Sequence, residues 1–157
     1  MRLRYSTRFL VVLVVVVVTL LVLVAGQNLR AASRSRGTRH GGDLDLLARM
    51  ISAEAGAEPF LGKVAVAAVL LNRIQNPRFP KTVAGVIYQP HAFESVSNGQ
   101  INMPASSTSR KAAQAALSGW DPSGGALFFF NPAKVRGRSY VWTRRIIQRI
   151  GKHVFAL

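Results

Sequence analysis

The chain has 157 residues, with 21 Lys and Arg against 6 Asp and Glu and no cysteine. This length allows one compact domain beside an apolar N-terminus, and the lack of cysteine excludes a disulfide framework, a thiolate nucleophile and a Cys-ligated zinc site. The net charge of +15 indicates anionic partners such as wall polymers or phospholipid headgroups, whereas the apolar N-terminus makes nucleic acid an unexpected partner.

The N-terminus contains a candidate membrane segment. Residues 9–26 form an uncharged run of 18 in which Thr19 is the one polar side chain, and three arginines precede the run. As a helix this run would span about 27 Å, close to the thickness of a bilayer core. We therefore predict that residues 1–26 are a signal anchor or a signal peptide. An anchor is favoured because the run is long and no clean Ala-x-Ala cleavage site follows it.

The next segment, residues 27–42, is rich in Arg, Ser, Thr and Gly and predicts a basic flexible linker. The remaining residues, 43–157, are enough to bury one core. Arginines lie on both sides of the apolar run, so the charge rule does not fix the orientation of this domain. A very short N-terminal tail favours its export.

Apolar spacing and turn residues predict a mainly helical domain with a small β-sheet. The first expected helix runs from Asp43 or Asp45 to Gly56, and a buried Ala- and Val-rich helix follows over 60–73. After a turn at 76–80 we expect a short helix capped by Thr82 and a further helix from Ser106 or Ser107 to 118–119. A loop at 121–125 and strands at 127–130 and 140–142 complete the expected order. The tail 146–155 fits either a helix or a strand.

Few residues in the domain have the chemistry of a catalyst. Glu54 follows an apolar helical face, a position that is also typical of a surface glutamate near a helix end. His40 lies in the predicted linker, and His91 and His153 lack the spacing of metal ligands, so we expect neither a metal nor another cofactor. The sequence contains no Gly-x-Ser-x-Gly elbow and no phosphate-binding glycine loop.

Several short blocks follow one another along the domain in the order and at the intervals of a known family. Together they cover essentially all of residues 44–157, which resemble the catalytic domain of bacterial cell wall hydrolases of the spore cortex-lytic (SleB/CwlJ-like) family. The blocks are AEAGAEP at 53–59, VAVAAVLLNR at 64–73, FPKTVAGVIYQP at 79–90, Phe93, NGQ at 98–100, ALSGWDP at 116–122, FNPAK at 130–134 and IGKHVF at 150–155.

The resemblance implies a lysozyme/transglycosylase-like fold with a groove for a peptidoglycan strand. Glu54 matches the position of the family's catalytic acid/base, which would cleave the β-1,4 bond between N-acetylmuramic acid and N-acetylglucosamine. In a lytic transglycosylase the C6 hydroxyl of the sugar attacks its own anomeric carbon and leaves a 1,6-anhydro end. One carboxyl group then acts first as acid and later as base, a route that suits a chain with few carboxylates.

Two alternatives remain open. Lysozyme-like hydrolysis with water would need a second carboxylate. Glu94 in the loop after Phe93 is the preferred candidate, because Gly56 and Pro59 interrupt the helix before Glu58, and Asp121 belongs to an Asp-Pro turn. The other alternative is a non-catalytic wall-binding module in which Glu54 hydrogen-bonds a sugar.

Sugars pack on aromatic faces and are oriented by amide and hydroxyl groups. On this basis we expect the groove to be lined by Tyr88, Gln89, Phe93, Asn131, Tyr140 and Trp142. Tyr88, Tyr140 and Trp142 are equally compatible with the core, and Phe128, Phe129 and Phe155 are expected to be core residues. Asn72 is expected either to bond the backbone near Glu54 or to cap its helix.

The sequence also departs from the family around one predicted strand. Relatives often have Trp where Tyr140 falls, and the segment 135–139 is about one residue longer, which alters the groove locally. The family name implies cortex breakdown in germinating spores, but the fold would serve equally in wall remodelling during growth. Either role implies a domain outside the cytoplasm, anchored to the membrane or secreted.

Overall fold

The computed structural model describes residues 7–135 and 143–157, with the backbone alone described for 7–15 and 28–40. By its internal contacts the chain divides into two units, Met1–His40 and Gly41–Leu157. Helix α1 (Thr7–Ala55) includes residues 27–42, which the sequence predicts to be an irregular linker. Six of these sixteen residues are Ala or Arg, which are strong helix formers and so are compatible with helix. The domain boundaries themselves stay a prediction.

In the part of the chain described here, no helix is long and apolar enough to cross a membrane. The transmembrane helix predicted for residues 9–26 is therefore not supported by the structure.

The second unit is built around the buried end of α1 and helix α2 (Phe60–Gln75). Residues 64–70 of α2 are almost completely inaccessible to solvent, so this helix lies at the centre of the core. Helix α1 ends at Ala55 and is followed by Gly56, where a Cβ atom would lie 2.6 Å from the carbonyl oxygen of Ser52, so that the chain can make this turn only with glycine. The remaining helices are α3 (Val83–Ile87), α4 (Glu94–Ser97) and α5 (Ser107–Leu117), with 3-10 turns at Gln100–Asn102 and Pro132–Lys134.

The caps of the shorter helices follow the sequence prediction. Thr82 accepts a hydrogen bond from the Gly85 N–H and starts α3, and Ser106 accepts one from the Ser109 N–H and starts α5. The start predicted at Asp43 or Asp45 is wrong, because α1 runs through both positions. The carboxylate of Asp45 is instead paired with Arg110 of α5 and Arg49, and the hydrogen bond from Arg110 holds the pKa of Asp45 below its usual value.

The sheet has three antiparallel strands in the order β1 (Phe128–Phe130), β3 (His153–Ala156), β2 (Ile146–Ile150). The central strand β3 is buried along its whole length. The tail is thus a β-hairpin, turned at Gly151 in the left-handed conformation (φ +59°). The expected class, mainly helical with a small sheet, is confirmed, whereas the strand predicted at 140–142 lies outside the described residues.

Candidate active site

Glu54 lies in the last turn of α1, on the face that enters the core. It follows Leu47 by two helical turns and Met50 and Ile51 by one, and these three side chains are fully buried. This spacing directs the Glu54 side chain toward the domain interior, where it is half-buried. Within the described part of the chain, its carboxylate has no hydrogen bond or ion pair. A carboxyl group placed in this way is free to exchange a proton with a ligand.

A buried histidine of the sheet interacts electrostatically with this carboxyl group. His153 begins β3, is 6% exposed, and has its Nδ1 atom 3.9 Å from Oε1 of Glu58. Burial lowers the pKa of the His153 imidazole, the charges of Glu58 and Glu54 oppose this shift, and that of Lys134 adds to it. The structure therefore brings Glu54, Glu58 and His153 into one electrostatic cluster.

Glu58 is turned away from solvent, in the loop between α1 and α2. It is 8% exposed, and its Oε2 accepts a hydrogen bond of 2.9 Å from the backbone N–H of Lys152 in the β2–β3 turn. Lys63 fixes the same loop, because its Nζ donates to the carbonyl oxygens of Gly56 and Glu58 at 2.7 and 2.6 Å. Glu58 thus joins the loop to the hairpin.

Aromatic rings connect this cluster with a buried arginine. The ring centroids of Phe129 and His153 are 5.4 Å apart, edge to face, and Phe93 stacks on Phe129 at 6.2 Å. Arg73 places its guanidinium 5.3 Å from the Phe93 centroid and donates from Nε to the carbonyl of Leu127 at 2.7 Å. Burial lowers the pKa of Arg73 to about 10.

The other residues predicted to line the groove differ in whether their described contacts connect them with the charge cluster. Asn131 accepts the Ala133 N–H at 3.0 Å and so begins the 3-10 turn that bears Lys134, a member of the charge cluster. Tyr88 is half exposed after α3 and Gln89 is half-buried beside it, and the contacts described for them do not reach the cluster. Tyr140 and Trp142 lie outside the described residues.

The predicted second carboxylate is placed differently from the expectation. Glu94 is exposed at the first position of α4 and has no described contact with Glu54. The carboxylate that shares a neighbour with Glu54 is Glu58, because both act on His153. The sequence favours Glu94 over Glu58 because Gly56 and Pro59 break the helix. That break is real, but the hairpin folds back over the loop.

Asp121 organises a turn, as its Asp-Pro sequence predicts. Its carboxylate accepts hydrogen bonds from Ser123, Gly125 and Asn72. Burial opposes ionisation of Asp121, but these hydrogen bonds outweigh it and lower its pKa. Both roles predicted for Asn72 are wrong, since its amide donates to Asp121 at 2.9 Å and to the carbonyl of Ala126 at 3.2 Å.

The cluster partners of Glu54 are not predicted from the sequence. The sequence indicates a half-buried structural histidine at position 153 and no role for Lys134 or Lys63. One signal is available for His153, which stands beside Val154 and Phe155 in an apolar strand, where a titratable side chain is uncommon. Among the described residues, no three His, Asp or Glu side chains lie close enough together to hold a metal ion.

Comparisons with known proteins agree with this fold. The model of the Cell Wall Hydrolase family matches residues 57–156, beginning just after Glu54. The chain therefore belongs to the cell wall hydrolase family. Its relatives include the spore cortex-lytic enzymes of Bacillus cereus, 48% identical over 113 residues, and Bacillus subtilis, 47% identical over 124 residues.

Those alignments cover 72% and 79% of this chain but only 43% and 40% of the two relatives. Among solved structures, the catalytic domain of the germination-specific lytic transglycosylase SleB from Bacillus anthracis matches with a TM-score of 0.69 at 46% identity. That match covers 73% of this chain and 93% of the solved domain. The part of this chain covered by that match accordingly has the fold of a cell wall hydrolase catalytic domain.

Proposed function

We propose that this domain degrades peptidoglycan by cleaving the β-1,4 bond between N-acetylmuramic acid and N-acetylglucosamine, with Glu54 as the acid and base. The observation that carries the proposal is the half-buried carboxyl group of Glu54, which has no partner among the described residues and whose charge acts on the buried imidazole of His153. Membership of the cell wall hydrolase family supplies the substrate class.

The fate of the other carboxylates favours a lytic transglycosylase over a hydrolase. All six acidic residues of the chain lie in the described part. Asp45 and Asp121 are bound by their neighbours, and Glu58 faces the hairpin. A two-carboxylate hydrolase needs its second group about 5 to 9.5 Å from the first, across the scissile bond. None of these three is free to take that position. Of the remaining two, Glu94 is exposed at the start of α4 with no described contact with Glu54, and Asp43 lies about three helical turns before Glu54 in α1.

The one-carboxylate route needs no such partner. Glu54 donates its proton to the leaving glycosidic oxygen, and the C6 hydroxyl of the muramic residue attacks the anomeric carbon. The resulting carboxylate then accepts the proton of that hydroxyl, so that the acid is regenerated and a 1,6-anhydro end is formed. The solved relative is itself a lytic transglycosylase by name.

The proposal includes export of the domain, since peptidoglycan lies outside the cytoplasm. This part is supported by the sequence of residues 1–26 alone, an arginine-preceded apolar run. The printed names of the relatives are those of spore cortex enzymes, so cortex is the first substrate to test, beside vegetative wall.

The test is mass spectrometry of the soluble products formed by the purified full chain from cortex and vegetative sacculi. We expect 1,6-anhydro muropeptides from the wild type and at least about a 100-fold lower rate from Glu54→Gln, because the amide cannot transfer a proton. Glu94→Gln is the matched control and should keep its activity. Reducing-end products that disappear in Glu94→Gln would establish hydrolysis instead, and binding without products would establish a wall-binding module.

A further inference from the structure

The Nδ1 atom of His153 is buried and, in the described part of the chain, has no hydrogen-bond partner. Buried polar atoms are usually paired, so an unpaired ring nitrogen 3.9 Å from a carboxylate oxygen is an uncommon arrangement. The distance is too long for a hydrogen bond, yet a small movement of either side chain would close it. The site is therefore arranged to accept a proton between His153 and Glu58.

The groups around the imidazole determine whether the ring is protonated. The charged groups that act on it are Glu54 from α1, Glu58 from the α1–α2 loop and Lys134 from the 3-10 turn, while Phe129 and Phe155 from β1 and β3 cover it. Burial dominates and favours the neutral ring, and the two carboxylates oppose it. Protonation of the ring at acidic pH therefore adds a positive charge to the cluster that contains Glu54.

Glu58 also sets the position of this ring. Its Oε2 is held by the Lys152 N–H, in the turn just before His153, and a side chain at Gly151 would overlap the same oxygen. The carboxylate thus fixes the hairpin against the loop that follows the last turn of α1. Movement of Glu58 would change the position of the His153 ring relative to Glu54.

We propose that Glu58 and His153 are a positioning pair for Glu54, whose neutral form permits catalysis and whose protonated form suppresses it. With a neutral ring, Glu54 can hold the proton that it delivers to the glycosidic oxygen. When the ring takes up a proton from solvent and becomes an imidazolium, Nδ1–H donates a hydrogen bond to Oε1 of Glu58. The positive charge on the ring then favours the ionised form of Glu54 and removes the acid. This inference rests on the role proposed for Glu54, and it adds an acidic limit to the activity.

The informative variant is Glu58→Gln, which keeps the size of the side chain and an oxygen for the Lys152 N–H but removes the charge. We expect the imidazole of His153 to titrate about 1 pH unit lower in this variant, because an attractive charge has been lost. The titration is followed by NMR of the full chain, which has three histidines, and a His153→Gln spectrum assigns the signal.

The acidic limb of the pH–kcat profile should move by the same amount in Glu58→Gln, with KM little changed, and should disappear in His153→Gln. A merely structural role of Glu58 would lower kcat at every pH without moving the limb. Asp45→Asn is the charge-matched control, since Asp45 is not among the groups that act on His153, and both the titration and the limb should stay in place.

An unmoved His153 titration in Glu58→Gln would overturn the pairing, and a moved titration with an unmoved limb would overturn the link to catalysis. The NMR titration does not depend on activity. If the wild type released no glycan products, the role proposed for Glu54 would fail together with the link to catalysis, while the titration would still judge the pairing itself.

Discussion

Lys63 is a buried cation whose described hydrogen bonds are made to carbonyl oxygens instead of to a carboxylate. Its ammonium group donates to Gly56 and Glu58, just beyond the C-terminal end of α1. The partial negative charge at a helix C-terminus favours a cation there. Since the same loop bears Glu58 and follows Glu54 closely, Lys63 supports the site as well as the fold.

Replacement of Lys63 by methionine should lower the free energy of unfolding by about 2 to 3 kcal/mol, because two charge-assisted hydrogen bonds are lost and a buried carbonyl is left without a donor. Urea denaturation of the full chain measures the change. Lys111→Met on the exposed face of α5 is the matched control and should stay within about 0.5 kcal/mol of the wild type. Equal losses in both variants would show that the Lys63 bonds add nothing.

The β2–β3 hairpin is the element on which the geometry of the cluster depends. Its turn contains Gly151 with φ +59°, and a Cβ atom there would overlap Oε2 of Glu58 and lie 2.9 Å from Cδ of Pro59. Glycine is thus required at this position for two reasons: the backbone is in the left-handed conformation, and the loop after α1 already occupies the space where a side chain would lie.

Gly151→Ala should therefore destabilise the domain by about 3 kcal/mol or more, of which the left-handed conformation alone accounts for about 1 kcal/mol. Gly99→Ala isolates the conformational part, because Gly99 has φ +79° and a Cβ atom added to it would have no neighbour within 4 Å. Thermal or urea unfolding of both variants separates the two effects. If the two glycines proved equally sensitive, the close approach of Glu58 to the turn would be refuted.

For helices and strands, the sequence predicts the features that depend on residues close to one another in the chain. The caps Thr82 and Ser106 and the end of α1 before Gly56 are confirmed, because each is set by neighbours within four residues. The tail 146–155 is ambiguous in the sequence, since its strand β3 is defined in part by pairing with β1, which the local pattern does not contain. The cap predicted at Asp43 or Asp45 is wrong because α1 runs through both positions, and the partner Arg110 that Asp45 finds 65 residues away is not visible in the local sequence.

In the candidate site, too, the sequence predicts one residue but not the partners that the fold brings to it. Glu54 could be located from the family blocks and from its place after an apolar helical face. Its partners could not, because His153 lies 99 positions further along the chain and is brought near by the sheet. The bonds of Asn72 to the turn at Asp121 span 49 residues, and no local spacing indicates them.

For the whole molecule, charge is the property most relevant to a polymeric substrate. The chain has a net charge of +15, and residues 43–157 contribute fourteen Lys and Arg against six acids, a difference of +8. Peptidoglycan bears carboxylates on its peptide stems, and attached wall polymers add further negative charge. A basic domain is drawn to such a surface over a distance set by the ionic strength.

Binding of the chain to sacculi should therefore weaken severalfold when NaCl is raised from about 50 to 500 mM, as the screening length falls from about 14 to 4 Å. The Glu54→Gln variant allows the measurement by co-sedimentation, since it leaves the sacculi intact. Sacculi whose carboxylates have been amidated are the matched control and should bind weakly at both salt concentrations. Binding that responds to neither salt nor amidation would mean that contacts in the glycan groove hold the enzyme, and that its positive charge has another role.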